Sequence, residues 1–274
     1  MKFISVFALS LLATVITAGA AQAAVVVTAE APGVENTSAK LDFSGVETFN
    51  SLKPGITTTP IDQTFSNSAN PATTMTMDYT GANGVQIYGA NRNGGAGGTG
   101  SYIVAFGATP YTVNFSSTNL PSGTNYFGFW LSSLDGNNQA KFYNTQGQLL
   151  LTFNAKDVVG LINKQADASA YYGDPDKNFK GLDSTEPYVF LNFYDTSGSF
   201  AKVVFSQLPG GGGYESDNQT VGNYTGAVTG MRVPLLSSIP GAVPETATWM
   251  MMIVGFGVIG CAARHRQIVG VAYA

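Results

Sequence analysis

The segment that most clearly indicates the fold class runs from Tyr188 to Phe205 and reads YVFLNFYDTSGSFAKVVF. Two runs rich in aromatic and β-branched residues, 188–194 and 200–205, flank the small polar segment 195–199. Such runs are typical of β-strands, and a short loop with a glycine at a turn position suits an antiparallel connection. The stretch therefore predicts a β-hairpin with one face in a core.

The same pattern recurs along the chain. Residues 140–143 and 149–153 form a second predicted hairpin around the polar loop 144–148. Apolar and polar residues alternate in 74–77 and in 111–115, as half-buried strands require. Further strands are predicted at 41–49, 74–79, 85–88, 102–106, 111–115, 125–131 and 219–224. Many short strands with glycine-rich turns predict an all-β fold, namely an antiparallel β-sandwich or a jelly-roll-like body.

The remaining segments complete the predicted domain plan. Residues 155–163 are expected to form one or two helical turns, and 164–187 an irregular surface loop. The sandwich domain is expected to span 41–232, preceded at 24–40 by a spacer or a first irregular strand and followed by a linker at 233–243.

The N-terminus has the organisation of a secretory signal peptide. Lys2 precedes an apolar run over 4–18, and Ala21-Gln22-Ala23 fits the small-x-small cleavage rule. We therefore expect residues 1–23 to be removed and Ala24 to begin the mature protein. The alternative is a permanent N-terminal anchor.

The C-terminal region combines a short motif, an apolar segment and a basic cluster. Residues 249–263 carry no charge and number 15, fewer than the roughly 20 of a comfortable membrane helix. A tryptophan at one border and arginines at the other match the interface preferences of membrane segments. The segment predicts a short transmembrane helix that serves as a temporary anchor. The alternative is a buried C-terminal element of the fold.

This region resembles the PEP-CTERM sorting signal of Gram-negative bacteria, in its Trp-containing subtype. The residues that carry the resemblance are Pro244, Glu245, Trp249, Met250, Met251, Gly255, Phe256, Gly257, Gly260, Arg264 and Arg266. Thr246 and Met250 depart from the usual proline and alanine, and residues 267–274 trail beyond the basic cluster. The resemblance implies transient anchoring in the inner membrane, cleavage by an exosortase-type membrane protease, and delivery to the cell surface or extracellular matrix, in association with exopolysaccharide.

The composition of the expected mature body, residues 24–243, limits the partners and the catalytic sites that it can have. Residues 24–243 hold 10 Lys or Arg and 16 Asp or Glu, which disfavours nucleic acid as a partner. The only cysteine is Cys261 and the only histidine is His265, both within the sorting signal. The mature body therefore has no disulfide, no Ser-His-Asp triad and no histidine zinc site. An enzyme would depend on carboxylate chemistry or on a Ser-Lys arrangement.

Two groups of acidic residues are candidate cation ligands. Glu215, Asp217 and Asn218, joined by Asp42 or Glu47 near the first predicted strand, offer the oxygen donors that a structural Ca²⁺ prefers. The alternative is a solvated polar turn. The group around Asp174 and Asp176, with Asp183 and Glu186 nearby, lacks the EF-hand pattern and is interpreted as a solvated loop.

Aromatic residues and a glycine-rich loop complete the candidates. Tyr126, Trp130, Tyr171 and Tyr172 could stack on a sugar ring, although strand alternation also allows the first two to fill the core. The glycine-rich segment 93–100 lacks the Gly-Lys-Ser/Thr ending of a phosphate loop and is interpreted as a flexible connection.

Three functional hypotheses follow. The leading one is a non-enzymatic exported protein of the surface or polysaccharide matrix. The second is a carbohydrate-binding module, which requires exposed aromatic side chains. The third is a calcium-supported carboxylate hydrolase acting on glycans, which requires two acids facing each other in a cleft.

Overall fold

The computed structural model describes residues 25–107 and 109–235, and it consists mainly of β-strands. The signal peptide and the sorting signal expected from the sequence lie outside the described residues. The elements are β1 (Val25–Ala29), β2 (Leu41–Glu47), β3 (Gly55–Thr57), β4 (Ile61–Ser66), β5 (Thr74–Thr80), β6 (Val85–Gly89), β7 (Ser101–Ala105), β8 (Tyr111–Thr118), β9 (Tyr126–Ser132), β10 (Asn138–Asn144), β11 (Leu149–Asn154), α1 (Ala155–Ile162), β12 (Val189–Asp195), β13 (Phe200–Gln207), β14 (Tyr214–Tyr224) and β15 (Met231–Arg232).

The strands form two antiparallel sheets. The larger sheet has the order β15-β1-β12-β9-β14-β7-β6-β3, and β2 pairs with the second half of β14. The smaller sheet has the order β11-β10-β13-β8-β5-β4. All-β architecture with antiparallel pairing, expected from the sequence, is confirmed.

One hydrophobic core receives the inward side chains of both sheets. Because successive side chains of a strand point to opposite faces, Phe127, Phe129 and Leu131 of β9 share the core side. Phe193 of β12 stacks on Phe142 of the smaller sheet with ring centroids 4.4 Å apart. Aromatic contacts of this kind join the two sheets across the core.

The outer face of the larger sheet is also covered. Three long connections, residues 30–40, 90–100 and 164–187, pack on it, and their contacts include Tyr171 Oη donating to the Glu30 carbonyl at 3.0 Å. Under this cover, Trp130, Tyr188 and Phe190 form a small second apolar cluster with Ala96. Strands β9 and β12 are therefore buried on both faces.

The predicted strands and the short helix are present, and three further strands were not predicted. Of the segment expected to be a spacer or a first irregular strand, Val25–Ala29 forms β1, which pairs with β12 and β15. Strands β3, β4 and β15 are short or polar, so their sequences carry little periodicity. Among the described helices, none reaches the length and hydropathy that crossing a bilayer requires.

Candidate functional site

An open cleft of about 440 Å³ lies over the outer face of β6, β7 and β14. The outward residues Tyr102 and Val104 of β7 and Glu215 of β14 form its floor, since Val104 and Glu215 are direct cross-strand partners. Its walls come from the end of β6 and from five connections between elements. The wall residues are Tyr88, Asn91, Asn93, Phe106, Ser133, Asp135, Asp183, Glu186, Gly212 and Gly213.

One side of the cleft is aromatic. Tyr88 is 37% exposed, and its ring lies 6.0 Å from the rings of both Tyr102 and Phe106. Tyr102 is buried, and its hydroxyl accepts a hydrogen bond from Asn91 Nδ2 at 3.0 Å. An exposed tyrosine backed by two further rings is a firm apolar platform with a polar edge, suited to stacking on a ligand.

Glu215 brings a buried carboxyl group to the floor. Its side chain is only 8% exposed and lines the cleft. Among the described residues, its own backbone N–H is the only hydrogen-bond donor to this carboxyl. Burial, followed by the negative charges of Asp135, Glu186 and Asp183, raises the pKa of Glu215 to about 8. The group is therefore a neutral acid at pH 7, and it lacks a partner that would hold its charge.

Asp135 also lines the cleft, but its carboxylate accepts several hydrogen bonds. Its carboxylate accepts hydrogen bonds from Gln207 Nε2 at 2.9 and 3.2 Å, from the Asn137 backbone N–H at 2.6 Å and from that of Gly212 at 3.3 Å. These donors belong to three different segments, so they fix the position of both oxygens. The cleft thus contains an oriented carboxylate, Asp135, and an acid, Glu215, whose one donor among the described residues is its own backbone N–H.

The remaining two acids come from the connection that precedes β12. Ser133 Oγ donates to Asp183 Oδ2 at 3.0 Å, and it also bonds the Tyr188 hydroxyl at 3.0 Å. Burial and the charge of Asp183 raise the pKa of Glu186. Ser133 and Asp183 both adopt positive φ, 42° and 51°, a conformation that costs free energy for non-glycine residues. Such strained residues cluster at functional sites, so their position at one cleft marks it as a candidate.

The glycine-rich segment 93–100 is hydrogen-bonded to the sheet through Asp217 and to the 164–187 connection through Asn178. The Ala96 backbone N–H donates to Asp217 Oδ2 at 2.8 Å, and Asn178 Nδ2 donates to the Gly98 carbonyl at 2.9 Å. A side chain at Gly98 would meet Asp176 Cβ at 3.0 Å, and the φ of Gly98 is +66°. Gly94, Gly95 and Gly98 of this segment are buried, whereas Gly97, Thr99 and Gly100 are exposed. At Gly98, glycine permits the close approach of the backbone.

Asp174 and Asp176 are buried at 2% and 8% exposure, so the solvated-loop interpretation was wrong for these two residues, whereas Asp183 and Glu186 are half-buried. Burial is the main cause that raises the pKa of Asp174 to about 6, of Asp217 to about 7 and of Glu35 to about 8. The Asp176 carboxyl group, which is hydrogen-bonded to that of Glu35, adds to the shift of Glu35. Asp174 accepts from the Asp176 backbone N–H, and Asp217 accepts from the backbone N–H groups of Asn218 and Ala96.

The structure does not bring Glu215, Asp217 and Asn218 together with either of the alternatives, Asp42 or Glu47, as one group of cation ligands. Asp42 and Glu47 are five residues apart on an extended strand, a span of about 16 Å. Asp42 accepts from Thr225 Oγ1 at 3.0 Å, whereas Glu47 lies near Tyr79 on the core side. Glu215 lines the cleft, and Asp217 binds the glycine-rich segment. Among the described residues, no group of three or more acidic, His or Cys side chains could hold a metal ion.

The segment 214–218 belongs to β14 and is not a turn before it. Asn218 has φ 47° and donates through Nδ2 to the Glu35 carbonyl at 3.0 Å. A polar sequence can form a buried strand here because the covering connections supply its hydrogen-bond partners.

The aromatic residues singled out from the sequence are not on a binding surface. Tyr126, Trp130 and Tyr171 are 0%, 1% and 4% exposed, so a sugar ring cannot stack on them. The Tyr126 hydroxyl donates to Asn192 Oδ1 at 2.6 Å. Tyr172 is half-buried, and its hydroxyl donates to Asn163 Oδ1 at 2.7 Å. Tyr126 and Trp130 lie on the sheet face that the connections cover, and Tyr171 is buried within a connection, so these three residues lose their role as candidate glycan contacts, whereas Tyr172 remains partly exposed.

The residues that line the cleft are less conspicuous in the sequence than the four aromatic candidates. In 85–88, Val85 and Ile87 are apolar and point inward, which leaves Tyr88 on the outward side. The same alternation leaves Tyr102 outward on the next strand, and the two tyrosines are direct cross-strand partners. Asp135 follows a predicted strand in an ordinary turn sequence and carried no signal of its own.

In comparisons with known proteins, no family model matches the chain, and no curated protein or solved structure matches it significantly.

Proposed function

We propose that the body of this chain is a glycan-binding β-sandwich, which takes its ligand in the cleft between Tyr88 and the four carboxyl groups. One observation carries the proposal: an exposed aromatic platform faces oriented hydrogen-bonding groups across an open cleft of about 440 Å³. Sugars offer a C–H face that packs on aromatic rings and hydroxyl groups that donate to carboxylates. The jelly-roll-like architecture expected from the sequence is part of the same proposal.

Export and sorting are the other half of the proposal. The apolar N-terminus with Ala21, Ala23 and Ala24 supports secretion, and the region 244–266 supports a temporary membrane helix and processing by an exosortase-type protease. The protein then reaches the cell surface or matrix, where exopolysaccharide is the available glycan. Mass spectrometry of the protein recovered from the outer surface should find termini at Ala24 and near Pro244. A chain that still ends at Ala274 would contradict the sorting proposal.

Replacement of Tyr88 tests the binding cleft. Tyr88→Ala removes the exposed ring and should weaken glycan binding at least roughly fivefold, whereas Tyr88→Phe should retain most of the affinity. Tyr143→Ala is the matched control, because Tyr143 lies on the smaller sheet, where its ring contacts Lys202. Binding would be measured by calorimetry against a panel of oligosaccharides. Equal loss in the Tyr88 and Tyr143 variants would place the site elsewhere.

A second candidate function is glycan hydrolysis in the same cleft. The specific observation is the difference between Glu215, a neutral acid at pH 7, and Asp135, an oriented carboxylate. Glycosidases combine an acid that protonates the leaving oxygen with a carboxylate on the other side of the bond. Appearance of new reducing ends that depends on both residues would establish this activity in place of simple binding.

A further inference from the structure

We propose that the cleft selects glycans that carry free amino groups, such as poly-hexosamines without N-acetyl groups; this inference rests on the proposed glycan-binding function. The ammonium group of the sugar would occupy the space among the carboxyl groups of Asp135, Asp183, Glu186 and Glu215, while the sugar face packs on Tyr88.

The charge of the residues that line the cleft favours a cationic ligand. Four of the thirteen lining residues are acidic, and none of these described residues is a lysine or arginine. Arg92 lies close enough to lower the pKa of Glu186, but it does not line the cleft. A cation therefore enters a cleft whose lining carries net negative charge, whereas a uronate or sulfated sugar is repelled by it.

The burial and hydrogen bonding of the Glu215 side chain also favour a cationic ligand. The Glu215 residue is 8% exposed, its side chain lines the cleft, and its carboxyl receives no hydrogen bond from any other described residue. A largely buried carboxyl group whose one donor is its own backbone N–H has unused acceptor capacity, and a ligand that supplies further donors gains free energy there. An ammonium group offers three N–H donors and a positive charge, which satisfies an ionised carboxylate better than a neutral hydroxyl does.

The architecture of the floor favours a sugar over a basic peptide. Strand β7 is hydrogen-bonded to β6 on one edge and to β14 on the other. The floor therefore presents side chains and no free row of backbone N–H and C=O groups, which an extended peptide would use to add a strand. Asn91 and Asn93, which line the cleft, can instead bond sugar hydroxyls.

The test compares oligosaccharides that differ only in the amino group. The probes are the β-1,4-linked hexamers of glucosamine, of N-acetylglucosamine and of glucose, together with penta-lysine. Calorimetric titration of the purified protein at about pH 6 keeps the sugar amines protonated while Glu215 is still neutral. The glucosamine hexamer should bind at least roughly tenfold more tightly than the other two hexamers, and the preference should shrink as salt is added.

Proton release gives a readout that a structural role would not produce. An ammonium bound beside Glu215 lowers its pKa, so the group should release a proton, and the binding enthalpy should change with the ionisation enthalpy of the buffer. Glu215→Gln should abolish this buffer dependence and most of the preference for the glucosamine hexamer. Glu186→Gln is a second variant in case the first fails to fold, and it should reduce the preference. Asp42→Asn, an exposed change outside the cleft, should alter neither.

The outcomes separate this inference from the proposed function. Equal binding of the three hexamers would overturn the amino-group selectivity and leave glycan binding intact. If no hexamer binds, the proposed function fails as well. Penta-lysine binding with an affinity equal to that of the glucosamine hexamer would overturn the assignment of the ligand as a sugar.

Discussion

The protonation of Glu215 is expected to make the stability of the folded protein depend on pH. Its raised pKa of about 8 means that the folded protein holds a proton which the unfolded chain gives up near pH 4. Its stabilising contribution is therefore complete below about pH 4 and is lost as the pH rises towards 8. We expect Glu215→Gln, which is neutral at every pH, to be more stable than the wild type at about pH 9, by an amount on the order of 2 kcal/mol. At about pH 4 the two proteins should be close to equal. Urea unfolding at both pH values measures this.

Asp42→Asn controls for the loss of one negative charge. Asp42 is exposed at the far end of the neighbouring strand β2, so its replacement should change the free energy of unfolding by less than about 0.5 kcal/mol at either pH. A gain from Glu215→Gln that is equally large at low pH would show that packing, and not ionisation, is responsible.

At the scale of the element, a bulge in β14 determines which side chains reach the cleft. Asp217 pairs with Trp130 and Thr220 with Gly128, so β14 has one residue more than β9 in this interval. The extra residue changes the alternation: Glu215 and Asp217 point outward before the bulge, and Val221 points into the core after it. Without the bulge, either the acids or the core residues of β14 would be on the wrong face.

The conformation of Asn218 makes the bulge testable. Its φ of 47° is tolerated by asparagine and glycine but strained for β-branched residues. Asn218→Val should lower the free energy of unfolding by about 1–3 kcal/mol, whereas Asn218→Gly should lose much less. Denaturant unfolding compares the two. Equal losses would point instead to the hydrogen bond from Asn218 Nδ2 to the Glu35 carbonyl.

The contact between the two sheets depends on Phe193. Its ring stacks on Phe142 and meets Phe153 edge to face at 5.1 Å, and both partners lie on the smaller sheet. Phe193→Ala leaves a cavity between the sheets and should cost about 3–5 kcal/mol, whereas Phe193→Leu should cost clearly less. Thermal unfolding measures both. Phe65→Ala on β4, where the ring is only half-buried, should be milder.

At the scale of the whole molecule, local periodicity predicted the strands but not the surface above the larger sheet. The runs 188–194 and 200–205 carry their own hydrophobic pattern, so β12 and β13 follow from the sequence. Whether Tyr126 and Trp130 are exposed depends on connections distant in the chain that cover their face. The cleft gathers Tyr88, Asp135 and Glu215 from separate strands and loops, and such proximity has no local signature.

The buried acids together predict an unusual dependence of stability on pH. Burial raises the pKa of Glu35 and Glu215 to about 8, of Asp217 to about 7 and of Asp174 to about 6. Each group contributes stability that is present below its unfolded pKa, near 4, and is lost as the pH rises through its folded value. The melting temperature should therefore fall between about pH 5 and pH 8, by roughly 5 °C or more.

The double variant Glu215→Gln/Asp217→Asn removes two of these four groups, so its melting temperature should fall over the same range by roughly half as much as that of the wild type. Scanning calorimetry at matched ionic strength measures both curves. A cation bound among these acids would hold them ionised and reverse the sign, so a wild-type melting temperature that rises from pH 5 to pH 8 would contradict the prediction and indicate that these carboxylates share a bound positive charge.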